Sequence, residues 1–193
     1  PPKPAINRRR ENVVTDLRHF KKSPKSEPSN MELVEEAVSL GCVKAKVILT
    51  KTISLGRWVK LQCQYGCPFY GMRFTCPPCS PNADEMSEIL LDYQKAILIQ
   101  APQAKQALEI VLALEERYKN KGFHKAFALC ATPCDLCETC TIETRCQHPD
   151  KARPTMQACG IDVSQTTFNN GWESNGGQTP CSESRPFGMV LIH

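Results

Sequence analysis

Two compact groups of cysteines constrain this chain more than any other feature. Cys63, Cys67 and Cys76 make the first group, with Cys79 close behind. Cys134, Cys137, Cys140 and Cys146 make the second. A disulfide needs a specific torsion and a Cβ separation of about 3.5–4.5 Å, so neighbours in Cys-x-x-Cys repeats do not easily pair with one another. Segments this dense in thiols read as metal loops, and a disulfide framework is the lesser alternative. The fold must then present both loops from a scaffold that stands without staples.

Length and composition allow such a scaffold. The chain has 193 residues, 41% of them hydrophobic, enough for one sizeable domain with its own core. Cysteine is abundant at 12, yet a chain of this length does not depend on disulfides for stability. No apolar run reaches the roughly 18 residues of a membrane span. The start is basic and Pro-rich, with no hydrophobic stretch of signal-peptide type. These features imply a reducing, cytoplasmic setting in which the cysteines remain thiolates able to take up metal.

The formal net charge of +4 is modest and does not by itself imply nucleic acid. Positive charge gathers near the start, at Arg8, Arg9, Arg10, Arg18, Lys21, Lys22 and Lys25. Residues 1–29 therefore read as a basic arm or linker. The plain interpretation is a solvated tail; the sharper one is an arm that docks on an acidic partner. Few aromatics lie near these residues, which argues against a nucleic-acid interface.

The rest, residues 30–193, reads as one cysteine-rich domain. Asn30 suits the N-cap of a helix that ends near Gly41. Residues 43–49 alternate as a strand. A second strand is expected over Arg57–Cys63, paired with the first as a hairpin that delivers the first cysteine loop. Ser80-Pro81 predicts the start of a helix running to about Tyr93. Ala96–Ile99 reads as a buried strand, and Gln103–Lys119 as a strong amphipathic helix closed by Gly122. Lys125–Cys130 is expected as another strand, feeding the second loop. A short helix over Pro154–Ala158 and a final strand over Phe187–Ile192 complete the pattern. Strands alternating with helices imply an α/β domain with a mixed sheet, flanking helices and two cysteine-rich metal loops.

The second group carries the clearest chemistry. It reads Cys-x-x-Cys-x-x-Cys, five further residues, then Cys146-Gln-His-Pro149. This is close to the pattern that wraps a 4Fe-4S cluster, with three thiolates from one tight loop and a fourth just beyond. A four-cysteine zinc site more often uses two separated Cys-x-x-Cys pairs, so consecutive steps favour iron–sulfur over zinc. His148 reads as a loop residue rather than a ligand. In the first group the spacing is irregular, and Cys76-Pro-Pro-Cys79 is a stiff turn. Zinc is more competitive there. If only three thiolates hold a cluster, one iron stays open to bind substrate as a Lewis acid. Cys42 reads as a small buried hydrophobe, and Cys130 as a neighbour of the second loop. Cys159 and Cys181 are each a possible fourth ligand to the first group. The chain has no phosphate-binding loop and no serine nucleophile elbow.

These residues resemble the predicted metal-binding proteins grouped as domain-of-unknown-function family 2284. The resemblance is carried by Cys67-Pro-Phe-Tyr-Gly71, Cys76-Pro-Pro78, Ser80-Pro81 and Tyr93-Gln-Lys-Ala-Ile-Leu98. Further on it rests on Thr132-Pro-Cys-Asp-Leu-Cys-Glu-Thr-Cys140, Cys146-Gln-His-Pro149 and Arg153-Pro-Thr-Met-Gln-Ala-Cys-Gly-Ile-Asp-Val163. It spans roughly residues 40 to 193 and implies metal binding through the cysteines, in proteins of iron–sulfur type from anaerobes. It implies ligand roles for Cys63, Cys67, Cys76, Cys134, Cys137, Cys140 and Cys146. Cys79 falls where many relatives are expected to have another residue, so the fourth ligand of the first site stays open. Altogether the expectation is a protein with one or two 4Fe-4S clusters that passes electrons to, or supports, a partner redox protein or enzyme. An enzyme using an open iron and a zinc-stabilised interaction module are the alternatives.

Overall fold

The computed structural model describes residues 27–130, 132–172 and 186–193. The basic residues of the arm and Cys181 lie outside them. The elements in chain order are α1 (Asn30–Ser39), β1 (Lys44–Leu49), α2 (Val59–Gly66), α3 (Ala83–Leu90), β2 (Lys95–Gln100), α4 (Ala104–Asn120), β3 (Phe127–Leu129), α5 (Val163–Asn169) and β4 (Phe187–Ile192). The sheet has the order β1-β2-β4-β3.

The expected α/β class is what forms. In detail, every described ladder is antiparallel, and the parallel step is confined to an isolated bridge between Cys130 and Thr155. Because β strands expose alternate residues to opposite faces, the two central strands feed two cores. Ile97, Ile99, Val190 and Ile192 pack under α1 and α4, against Leu33, Ala37, Val111, Leu114 and Tyr118. Ala96, Leu98, Met189 and Leu191 pack on the opposite side, against Met86 and Leu90 of α3 and against Met156, Cys159 and Ile161. The second side is where the two cysteine loops converge.

Three local expectations are corrected. The first helix is capped by Ser29, not Asn30: Ser29 Oγ accepts from the Glu32 N–H at 3.2 Å, and the Glu32 carboxylate accepts from the Ser29 N–H at 2.6 Å. This reciprocal box satisfies two donors at once, which a lone Asn side chain does not. The third helix starts after Asn82 for the same reason, with Glu85 as the returning partner, and it stops at Leu90 rather than Tyr93. Ser80 instead donates from its hydroxyl to the Ala158 carbonyl at 2.8 Å.

The largest correction concerns Arg57–Cys63, expected as a strand. Val59 and Cys63 stand four residues apart and are both buried, while Leu61 and Tyr65 face outward at 55% and 80% exposure. Burial at i and i+4 selects a helix. No hairpin forms with β1, which pairs with β2. The short helix near Pro154–Ala158 is a single 3-10 turn over Gln157–Cys159, and α5 was not anticipated.

Candidate metal centre

The second cysteine loop leaves β3 and returns to the sheet through backbone bonds around the Cys130–Thr155 bridge. The Cys130 N–H donates to the Pro154 carbonyl at 2.8 Å, and the Met156 N–H to the Cys130 carbonyl at 3.2 Å. The intervening chain is an excursion pinned at its base. Inside it, the Thr141 hydroxyl donates to the Arg145 carbonyl at 2.9 Å and the Thr144 hydroxyl to the Thr141 carbonyl at 3.2 Å. This small turn uses up the five residues between Cys140 and Cys146 and brings the last cysteine back toward the first three. The His148 carbonyl accepts from the Lys151 and Ala152 N–H groups at 3.1 and 2.8 Å, so His148 shapes the loop through its backbone.

Cys134, Cys137, Cys140 and Cys146 all line one recess. Each is partly exposed and none is in a disulfide. Among the described residues, no three His, Cys, Asp or Glu side chains converge on a single-ion position. Part of the lining of the recess comes from the first loop, through Arg73, Phe74 and Thr75. The Arg73 guanidinium donates to the Cys134 carbonyl and stacks over the Phe69 ring at 4.5 Å. Sequence reasoning separated the two loops; the structure joins them through Arg73. Burial raises the Cys134 thiol above its ordinary value, opposed by the Leu136 N–H and the Arg73 charge.

The first group is arranged differently. Cys63 lies on the buried face of α2 and Cys67 ends that helix, its N–H donating to the Cys63 carbonyl at 3.3 Å. Cys76 is buried, and its carbonyl accepts from the Cys79 and Ser80 N–H groups at 3.0 and 3.1 Å. The Pro77-Pro78 bond in this turn is cis. Cys79 is exposed. It lines a largely apolar cavity of about 620 Å³ that lies between the two loops and also reaches Cys146 and Cys159.

The isolated thiols divide cleanly. Cys42 is buried as expected of a small hydrophobe, and burial raises its pKa. Burial pushes Cys130 and Cys159 up to about 12, each with 1% exposure. Cys130 belongs to the core beneath α4 rather than to the recess. Cys159 borders the cavity that Cys79 lines, and its turn packs against α2.

Two cysteine loops sit on this α/β scaffold, and one of them lines a single recess with four cysteines, the residue type that metal loops use. The comparison of sequences agrees: residues 46–192 match the model of the predicted metal-binding protein family DUF2284, and the chain belongs to that family. Neither the curated proteins nor the solved structures give a match. Among the described residues no helix is long and apolar enough to cross a membrane.

Proposed function

We propose that this chain is an iron–sulfur protein carrying a 4Fe-4S cluster on Cys134, Cys137, Cys140 and Cys146, with a second cluster on the first loop. The observation that carries the reading is the shared recess of those four thiols. Three arrive in consecutive Cys-x-x-Cys steps, so short loops can reach three corners of a cubane and Cys146 the fourth. Arg73 fits the same group, because a cluster held by four thiolates is anionic and a guanidinium at its edge offsets that charge. Cys63, Cys67, Cys76 and Cys79 are the proposed ligands of the first site. A bound cluster supplies one-electron redox chemistry, and the role we assign is electron transfer to, or redox support of, a partner enzyme in the cytoplasm. The basic arm of residues 1–29 is the proposed docking element for that partner.

A second reading has a specific observation behind it. The cavity beside Cys79 and Cys146 is lined by Met86, Ile89, Phe127 and Leu129 and can admit an apolar molecule. If Cys79 is not a ligand, an open iron there would make the protein an enzyme acting by Lewis-acid catalysis.

Metal analysis, acid-labile sulfide and the visible spectrum of protein purified without oxygen test the proposal. About eight irons and eight sulfides per chain, with a broad band bleached by dithionite, are expected of two cubanes. About four of each confine the cluster to one loop. Zinc without sulfide overturns the reading and leaves a structural metal module.

A further inference from the structure

We propose that Thr75, a residue of the first loop, is the hydrogen-bond donor to a sulfur of the group held by the second loop. The inference rests on the iron–sulfur reading above and assigns a residue outside both cysteine sets. Thr75 is 6% exposed, and its hydroxyl oxygen is shielded from solvent with no hydrogen-bond partner. A buried hydroxyl left unpaired is costly, and folded proteins keep few of them without a reason. Thr75 sits in the wall of the recess that the four cysteines line.

Its surroundings hold it there. Arg73, two residues earlier, is fixed by the Cys134 carbonyl. The Cys76 N–H, one residue later, donates to the Arg73 carbonyl at 3.1 Å. A β-branched side chain has few χ1 options, so the hydroxyl cannot readily swing out to water. The recess lining includes no carboxylate. Thr141, Gln147, His148 and the cysteine sulfurs also line the recess, yet the Thr75 hydroxyl bonds to none of them, and the acceptor we assign is a sulfur brought with the bound group. Thr75 also borders the apolar cavity on its other side, which supplies the competing account: a hydroxyl that serves a ligand in that cavity.

A donor to a cluster sulfur stabilises the more negative, reduced state and raises the reduction potential. Thr75→Val keeps the shape and removes the donor, whereas Thr75→Ser keeps the donor. With iron and sulfide verified in each protein, Thr75→Val is expected to lower the midpoint potential of the signal that Cys137→Ala abolishes. The expected size is about tenfold in the reduced-to-oxidised ratio, or about 59 mV for one electron, with Thr75→Ser close to wild type. Equal potentials in all three proteins overturn the proposal and leave the hydroxyl to the cavity. A second readout covers the case in which Thr75→Val fails to fold. Pulsed electron paramagnetic resonance of reduced wild type in D₂O should show a strongly coupled exchangeable deuteron, and its absence overturns the proposal without any variant. Failure of the underlying reading looks different: wild type then contains no sulfide at all.

Discussion

Arg153 meets Glu115 through two parallel hydrogen bonds, Nε to Oε2 at 2.7 Å and Nη2 to Oε1 at 2.6 Å, with both side chains almost fully buried. Glu115 also accepts from the Ala128 N–H of β3 at 2.7 Å and from Lys119. The remaining arm of Arg153 donates to the Pro149 and Ala152 carbonyls, at 3.3 and 2.9 Å. One buried pair thus ties α4, β3 and the chain leaving Cys146 together.

Removing one member of such a pair strands the other charge. Glu115→Gln is expected to destabilise the protein by about 3–5 kcal/mol in denaturant melts and to loosen metal retention at the second loop. The pH dependence has a definite sign. Burial works against the Glu115 charge, but Arg153, Lys119 and the Ala128 N–H outweigh it and hold the carboxyl below its ordinary value of 4.5. The contribution is present above that ordinary value and is lost as pH falls through the lowered one. Wild type should lose stability on acidification below about 4.5, and Glu115→Gln should show a flatter profile there. Parallel acid profiles would exclude Glu115 as the source.

Cys137 is the middle of the three consecutive steps and lines the recess with its three partners. Cys137→Ala should remove about four irons per chain and the matching visible absorption, while leaving any first-loop metal in place. Iron content unchanged from wild type would refute the assignment of these thiols.

The parts legible in the sequence are those with strong local signals. The period of α4 and the apolar runs of β2 and β4 place those elements within a few residues. The cysteine spacing marks both loops. What stayed hidden depends on contacts distant in sequence. Residues 57–63 carry Val59, Leu61 and Cys63, which fit a strand as well as a helix until the packing of α2 against the turn at Gln157–Cys159 decides. Arg73 reads as an ordinary loop residue because its partner, the Cys134 carbonyl, lies some sixty residues on, and Thr75 because the recess it borders is lined mostly by residues equally distant in sequence. The Glu115–Arg153 pair is invisible for the same reason, since an i, i+4 Lys119 is the partner that periodicity suggests.

Gly160 is a position where space and backbone both demand glycine. Its φ is +75°, and a Cβ there would lie 2.7 Å from the Ala83 Cα. The close approach lets the turn at 157–160 seat against the start of α3, and the Gly160 carbonyl accepts from the N–H of Gly56, just before α2, at 2.9 Å. Gly160→Ala is expected to cost about 2–4 kcal/mol, from left-handed strain plus overpacking. Chemical denaturation measures it, and a change under about 0.5 kcal/mol, the range of ordinary surface substitutions, would show that the turn yields easily.

Thiol labelling separates the candidates for the fourth position of the first site. In metal-free protein at pH 8, exposed Cys79 should react promptly with iodoacetamide. Cys130 and Cys159, pushed up to about 12 by burial, should carry only about one thiolate in ten thousand and react only on unfolding. Mass spectrometry of the digested protein reads each site separately. Loading the protein with iron and sulfide should then protect Cys79 if it completes the first site. Labelling of Cys79 at an undiminished rate in protein holding its full iron would remove it from the ligand set. Cys159, on the wall of the same cavity, and Cys181 would then be the thiols to replace, and loss of iron from only one of Cys159→Ala and Cys181→Ala, at unchanged melting temperature, would identify the fourth ligand.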